Sequence, residues 1–184
     1  MVEELFPSEK RRITRDKAFH EAKKFIRQQL RLIYSFGDIT LRIDSPTVGV
    51  LGDGTGYIYV PSKASYERIN PSSLPSGIVF EDGSFLVFKE IFRYQYASET
   101  ARTPEIRRIE YSYHYQRPQS NSFFLYDFHP DIGNTETHPL FHLHAGGWPD
   151  TVDDFPPHVR FQVAEISLEE VINLIRTSFW DNTM

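Results

Sequence analysis

The chain has no cysteine, which excludes disulfides, thiolate metal sites and a cysteine nucleophile. It also lacks any apolar run near the roughly 20 residues a membrane helix needs. The N-terminus shows no apolar core of a signal peptide, so the expected setting is cytoplasmic, with no membrane partner. Between Asp127 and Asp154 there is not one Lys or Arg. The net charge is −5, which disfavours broad electrostatic attraction to nucleic acid. Positive charge gathers instead near the start, in Lys10, Arg11, Arg12, Arg15, Lys17, Lys23, Lys24, Arg27 and Arg31. That region suits either a solvated helix face or a partner of opposite charge.

Aromatic side chains are plentiful, with 15 Phe, 10 Tyr and 2 Trp in 184 residues. Large aromatics favour a sheet built on cross-strand pairs. Phe19, Ala22, Phe25, Ile26, Leu30 and Ile33 recur at three- and four-residue spacing, predicting a helix over about residues 16–34. Ile39–Ile43 alternates apolar and polar residues, as a half-buried strand does. The glycines from Gly49 to Gly56 lack the Gly-Lys-Ser/Thr ending of a phosphate loop, so a tight hairpin at Asp53-Gly54 is the preferred reading. Residues 61–77, rich in Pro, Ser and Asn, read as a surface loop.

Three strands then follow in succession, over Ser84–Tyr94, Ile106–Tyr115 and Phe123–His129, making an antiparallel meander. Shorter extended runs cover His138–His144 and Val159–Val163. Ser167-Leu-Glu-Glu170 opens a final helix with a capping box, its apolar stripe being Leu168, Val171, Ile172 and Ile175. The expected fold is a single α+β domain over residues 1–184. It is mostly an antiparallel sheet, packed against N-terminal and C-terminal helices.

Pairing Tyr115 with Phe124, Tyr113 with Tyr126 and Tyr111 with Phe128 collects six aromatics on one face. That face should carry the core, although Tyr111, Tyr113 and Tyr115 could also stack nucleobases. The other face then holds Glu110, Ser112, His114, Leu125, Asp127 and His129, with Glu110 opposite His129.

Six of the seven histidines lie between His114 and His158. In an extended strand His142 and His144 point the same way, a spacing that suits two metal ligands or an acid/base pair. If that strand adjoins the polar face, then His114, His142, His144, Asp127 and Glu110 converge. Such a group could hold a divalent metal through His142, His144 and a carboxylate. It could also cleave phosphodiesters without metal, one His acting as base and another as acid. Arg107 or Arg108 would then stabilise the developing charge. No cofactor is required by the sequence. Trp148 is a candidate roof for a pocket.

The order Asp82-Gly-Ser-x-Leu86-x-x-x-Glu90, Tyr111-Ser-Tyr-His-Tyr115-Gln116, Leu125-Tyr-Asp127 and His142-Leu-His144, closed by the Ser-Leu-Glu-Glu helix, resembles the TumE-like family. Its members are small proteins regarded as toxin components of bacterial toxin–antitoxin pairs. The resemblance covers about residues 80–178. It implies a site drawn from Glu90, Tyr113, His114, Asp127, His142 and His144, with Asp127 and Glu90 orienting the histidines. An antitoxin protein is the implied partner, and RNA the expected target of a His-dependent ribonuclease-like activity. The alternatives are a partner-binding module without catalysis, and a metal-binding protein using His142 and His144.

Overall fold

The N-terminal helix is longer than its apolar stripe. In the computed structural model α1 spans Pro7–Ser35. Its first residues are polar helix formers and show no periodicity, so the stripe alone reveals only the later turns. The structure describes residues 7–62, 75–96, 104–120, 122–130, 139–146 and 160–180.

The strands are β1 (Thr40–Ile43), β2 (Thr47–Val50), β3 (Thr55–Val60), β4 (Ile78–Phe80), β5 (Phe85–Tyr96), β6 (Pro104–Arg117), β7 (Ser122–Phe128), β8 (Phe141–Gly146) and β9 (Phe161–Gln162). All nine join one sheet in which every pairing is antiparallel, running β1-β4-β5-β6-β7-β8-β9. The β2–β3 hairpin branches off. β5 is long enough for one of its edges to pair with β4 at Phe85–Leu86 and with β3 from Phe88 to Arg93. The predicted meander is therefore the centre of a larger sheet.

Local chemistry sets the turns. Gly54 and Gly83 both take positive φ, which an L side chain would resist. The preceding Asp53 and Asp82 each accept a bond from the backbone N–H two residues on, both at 2.9 Å. The glycines of 49–56 thus form the hairpin and no phosphate loop. Of the loop over 61–77, residues 63–74 lie outside the described residues.

The helix α2 (Leu168–Ile175) begins with the predicted capping box: Glu170 N–H donates to Ser167 Oγ at 3.2 Å, and Ser167 N–H to Glu170 Oε2 at 2.7 Å. Leu168, Val171, Ile172 and Ile175 are all buried, each contributing about 1.5–3 kcal/mol. With Ala22, Ile26 and Ile33 of α1, they join one core with Phe88, Phe92, Tyr111, Tyr113 and Tyr115. Both helices therefore cover the aromatic face, and the fold is α+β as expected. Past α2 a π-helical turn over Arg176–Trp180 brings Phe179 onto Tyr115, ring centres 5.3 Å apart.

Candidate functional site

The register read from the aromatics is the one observed. Tyr111 pairs with Phe128, Tyr113 with Tyr126, Tyr115 with Phe124 and His114 with Leu125. The next strand continues it, Asp127 facing His142 and Leu125 facing His144. The histidine run therefore docks beside the polar side of the meander. This face is not a solvated surface: His142 is 1% exposed and Asp127 9%.

Two carboxylates and a histidine organise its electrostatics. His129 Nδ1 lies 2.9 Å from Glu110 Oε1, and its Nε2 3.6 Å from Asp127 Oδ1. Hydrogen bonding to Asp127 and then Glu110, against some desolvation, pushes the His129 pKa up to about 9. At neutral pH His129 is an imidazolium. The hydrogen bond from His129, then that from Lys89, holds Glu110 down at about 2. For Asp127 burial pushes upward, but the His129 and Ser112 hydrogen bonds and the His129 and His142 charges outweigh it, and the carboxyl ends below its usual range. Sequence reasoning saw His129 only as the partner of Glu110. The flanking Asp127, two residues back on the same strand face, was the signal for its charge.

Asp127, His142 and His144 form the tightest group. Each offers one ligand atom, and the three atoms lie within 4.8 Å of one another. His142 Nδ1 is 2.8 Å from the carbonyl of Pro139, an oxygen that only accepts, so this nitrogen carries the proton. In the neutral ring the lone pair then sits on Nε2, which faces Asp127 Oδ2 at 3.9 Å. The His142 and His144 rings meet edge to face at 4.8 Å.

A family model described as Toxin TumE matches residues 58–179. The chain belongs to the TumE toxin family. No curated protein and no solved structure shows a significant match. The matched region begins within β3, before the motifs that carry the resemblance.

Not every expected residue of this TumE protein stands with the histidines. His114 shares their face, but Leu125 separates it from His144, leaving their strands roughly 10 Å apart. It packs on the ring of Phe123, and burial pushes its pKa down. Trp148 lies outside the described residues.

Three other expected residues face the helices instead. Glu90 pairs across the strands with Tyr111, so it is on the aromatic face and cannot orient the histidines. It is 1% exposed and accepts a hydrogen bond from Tyr113 Oη. Desolvation pushes its pKa up despite that bond and the Arg108 charge. The alternation Phe88-x-Glu90-x-Phe92 already carried this placement. Tyr113 follows Tyr111 and Tyr115 into the core, and desolvation drives its hydroxyl pKa well up.

Arg108 is there because of a β-bulge. Ile91 pairs with Glu110 but Phe92 pairs with Arg108, leaving Ile109 without a partner. Beyond it the strand's faces exchange. Arg108 turns inward, donates to the Ile166 carbonyl at 2.6 Å and pairs with Glu165 at 3.0 Å. It borders a cleft of about 230 Å³ between α1, α2 and the sheet, which Glu90, Phe25, Gln29 and Leu168 also line. Arg107 takes the opposite side, exposed and across from Arg93, on the face that bears the histidines.

Proposed function

We propose that this TumE-family chain is a toxin that cleaves RNA at its polar sheet face. The observation that carries the reading is the Asp127–His142–His144 group, within 4.8 Å, beside a histidine held positive. Phosphodiester cleavage needs a base for the nucleophile and an acid for the leaving group. The His142–His144 pair, oriented by Asp127, takes the proton of an RNA 2′-hydroxyl. Its oxygen attacks phosphorus, the bond to the 5′-oxygen breaks, and the His129 imidazolium protonates that oxygen. The products are a 2′,3′-cyclic phosphate and a 5′-hydroxyl. Arg107 and Arg93, exposed on the same face, supply phosphate contacts in place of Arg108.

The test is incubation of purified protein with an RNA oligonucleotide and its 2′-deoxy counterpart. Cleavage of the first alone, lost in His144→Ala, supports the reading. Intact RNA under all conditions, with growth arrest retained in cells, sinks it.

The same family membership supports an antitoxin protein as partner. Lys23, Lys24, Arg27 and Arg31 are exposed along α1, and Leu41 on the edge strand β1 is 66% exposed. A basic helix beside an open edge suits an acidic partner that adds a strand. Charge reversal at Lys23, Lys24 and Arg27 should abolish capture of the co-expressed antitoxin; retained capture would refute this surface.

A further inference from the structure

We propose that Asp127, His142 and His144 bind one divalent transition-metal ion of the zinc class. The inference rests on the polar face being the working site and names what activates its nucleophile.

Donor type comes first. Two imidazoles and one carboxylate match Zn²⁺, Co²⁺ or Fe²⁺, whereas Mg²⁺ and Ca²⁺ require oxygen ligands. The distances agree. Ligand atoms around a tetrahedral ion with bonds of about 2.0 Å stand roughly 3.3 Å apart. The Asp127–His142 separation of 3.9 Å and the 4.8 Å limit for the trio close to that by small side-chain rotations.

The surrounding shell is already arranged for it. Metal-bound histidines usually donate their other N–H to a carbonyl or carboxylate, which fixes the ring and raises its basicity. The Pro139 carbonyl does this for His142, presenting Nε2 to the site. Asp127 Oδ1 is buried without a hydrogen-bond partner, the nearest His129 nitrogen standing 3.6 Å away, so the carboxylate keeps a lone pair for an ion. Extended geometry delivers His142 and His144 from one strand, and Asp127 sits directly opposite His142 on the next.

When bound, the ion would supply a water of lowered pKa as the base in place of the imidazoles themselves.

The test uses the full chain, purified without a histidine tag, stripped by chelator and titrated with Co²⁺ and Zn²⁺ in the absence of RNA. One equivalent of Co²⁺ should bind with visible d–d absorption, and Zn²⁺ should displace it while Mg²⁺ and Ca²⁺ do not. Asp127→Asn and His144→Ala should each weaken binding about tenfold or more. His20→Ala, on exposed α1, should leave it unchanged, with circular dichroism checking that each variant folds. Folded wild type that binds no ion, variants that bind like wild type, or displacement by Mg²⁺ would overturn the site. RNA cleavage by the stripped protein would remove the metal and keep the nuclease. Stoichiometric metal with RNA left intact would do the reverse.

Discussion

His129 Nδ1 lies 2.9 Å from Glu110 Oε1, and this contact makes the polar face a charged device. Its proton should be measurable. The ring should titrate near pH 9 in an NMR pH series, against about 6.5 for a free histidine. Replacing Glu110 with Gln should lower that value by about one unit, because one of two carboxylate partners is lost. A wild-type midpoint near 6.5 would contradict the network.

Stability should follow the same pair. The folded pKa of His129 is raised, so its contribution is complete below about 6.5 and lost as pH climbs through about 9. That of Glu110 is depressed, so its contribution is complete above about 4.5 and lost as pH falls through about 2. Thermal melts should therefore peak between about pH 4.5 and 6.5 and decline on both sides. Glu110→Gln should flatten the alkaline decline.

Glu90 separates the two faces experimentally. Glu90→Gln keeps an acceptor for Tyr113 and should melt close to wild type. Glu90→Ala strands the buried hydroxyl and should cost about 1–3 kcal/mol. Neither change should alter RNA cleavage per folded molecule, since the carboxylate points toward the helices. Activity lost in a stable Glu90→Gln protein would move the chemistry to the other side of the sheet.

At the start of α2, Ser167→Ala removes one half of the capping box. The expected cost is about 1 kcal/mol, or about 2–4 °C in melting temperature for a chain of this size. An unchanged melt would mean the final helix is held by its apolar stripe alone.

Arg107→Ala should weaken RNA binding and reduce the salt slope by about 0.7 for the lost phosphate contact. Arg108→Ala should leave that slope alone and lower stability instead, because its guanidinium holds the Ile166 carbonyl and Glu165.

Much of this was legible in the residues. Tyr111, Tyr113 and Tyr115 against Phe124, Tyr126 and Phe128 admit a single pairing that keeps aromatics together, and that pairing placed Asp127 and His114 correctly. The Asp-Gly turns and the capping box are local and carry their own chemistry. Glu90 was readable too, from Phe88 and Phe92 on either side, but its charge drew it toward the histidines. The position of Arg108 was not legible, since the bulge at Ile109 involves no glycine and its cause lies across two strands. Likewise the early start of α1 has no periodic trace.

The unpaired Ile109 works as a half-twist in the wiring of one strand. Upstream of it the odd-numbered residues look out, and downstream they look in. Strand alternation sends the two neighbouring arginines to opposite faces, and the bulge decides that Arg108 braces the core while Arg107 meets solvent. Deleting that single residue would close the ladder with Arg108 still across from Phe92 and Arg107 across from Arg93, whereas flattening the bulge with the residue kept would exchange their faces, so the division of labour between the two faces is stored in backbone spacing.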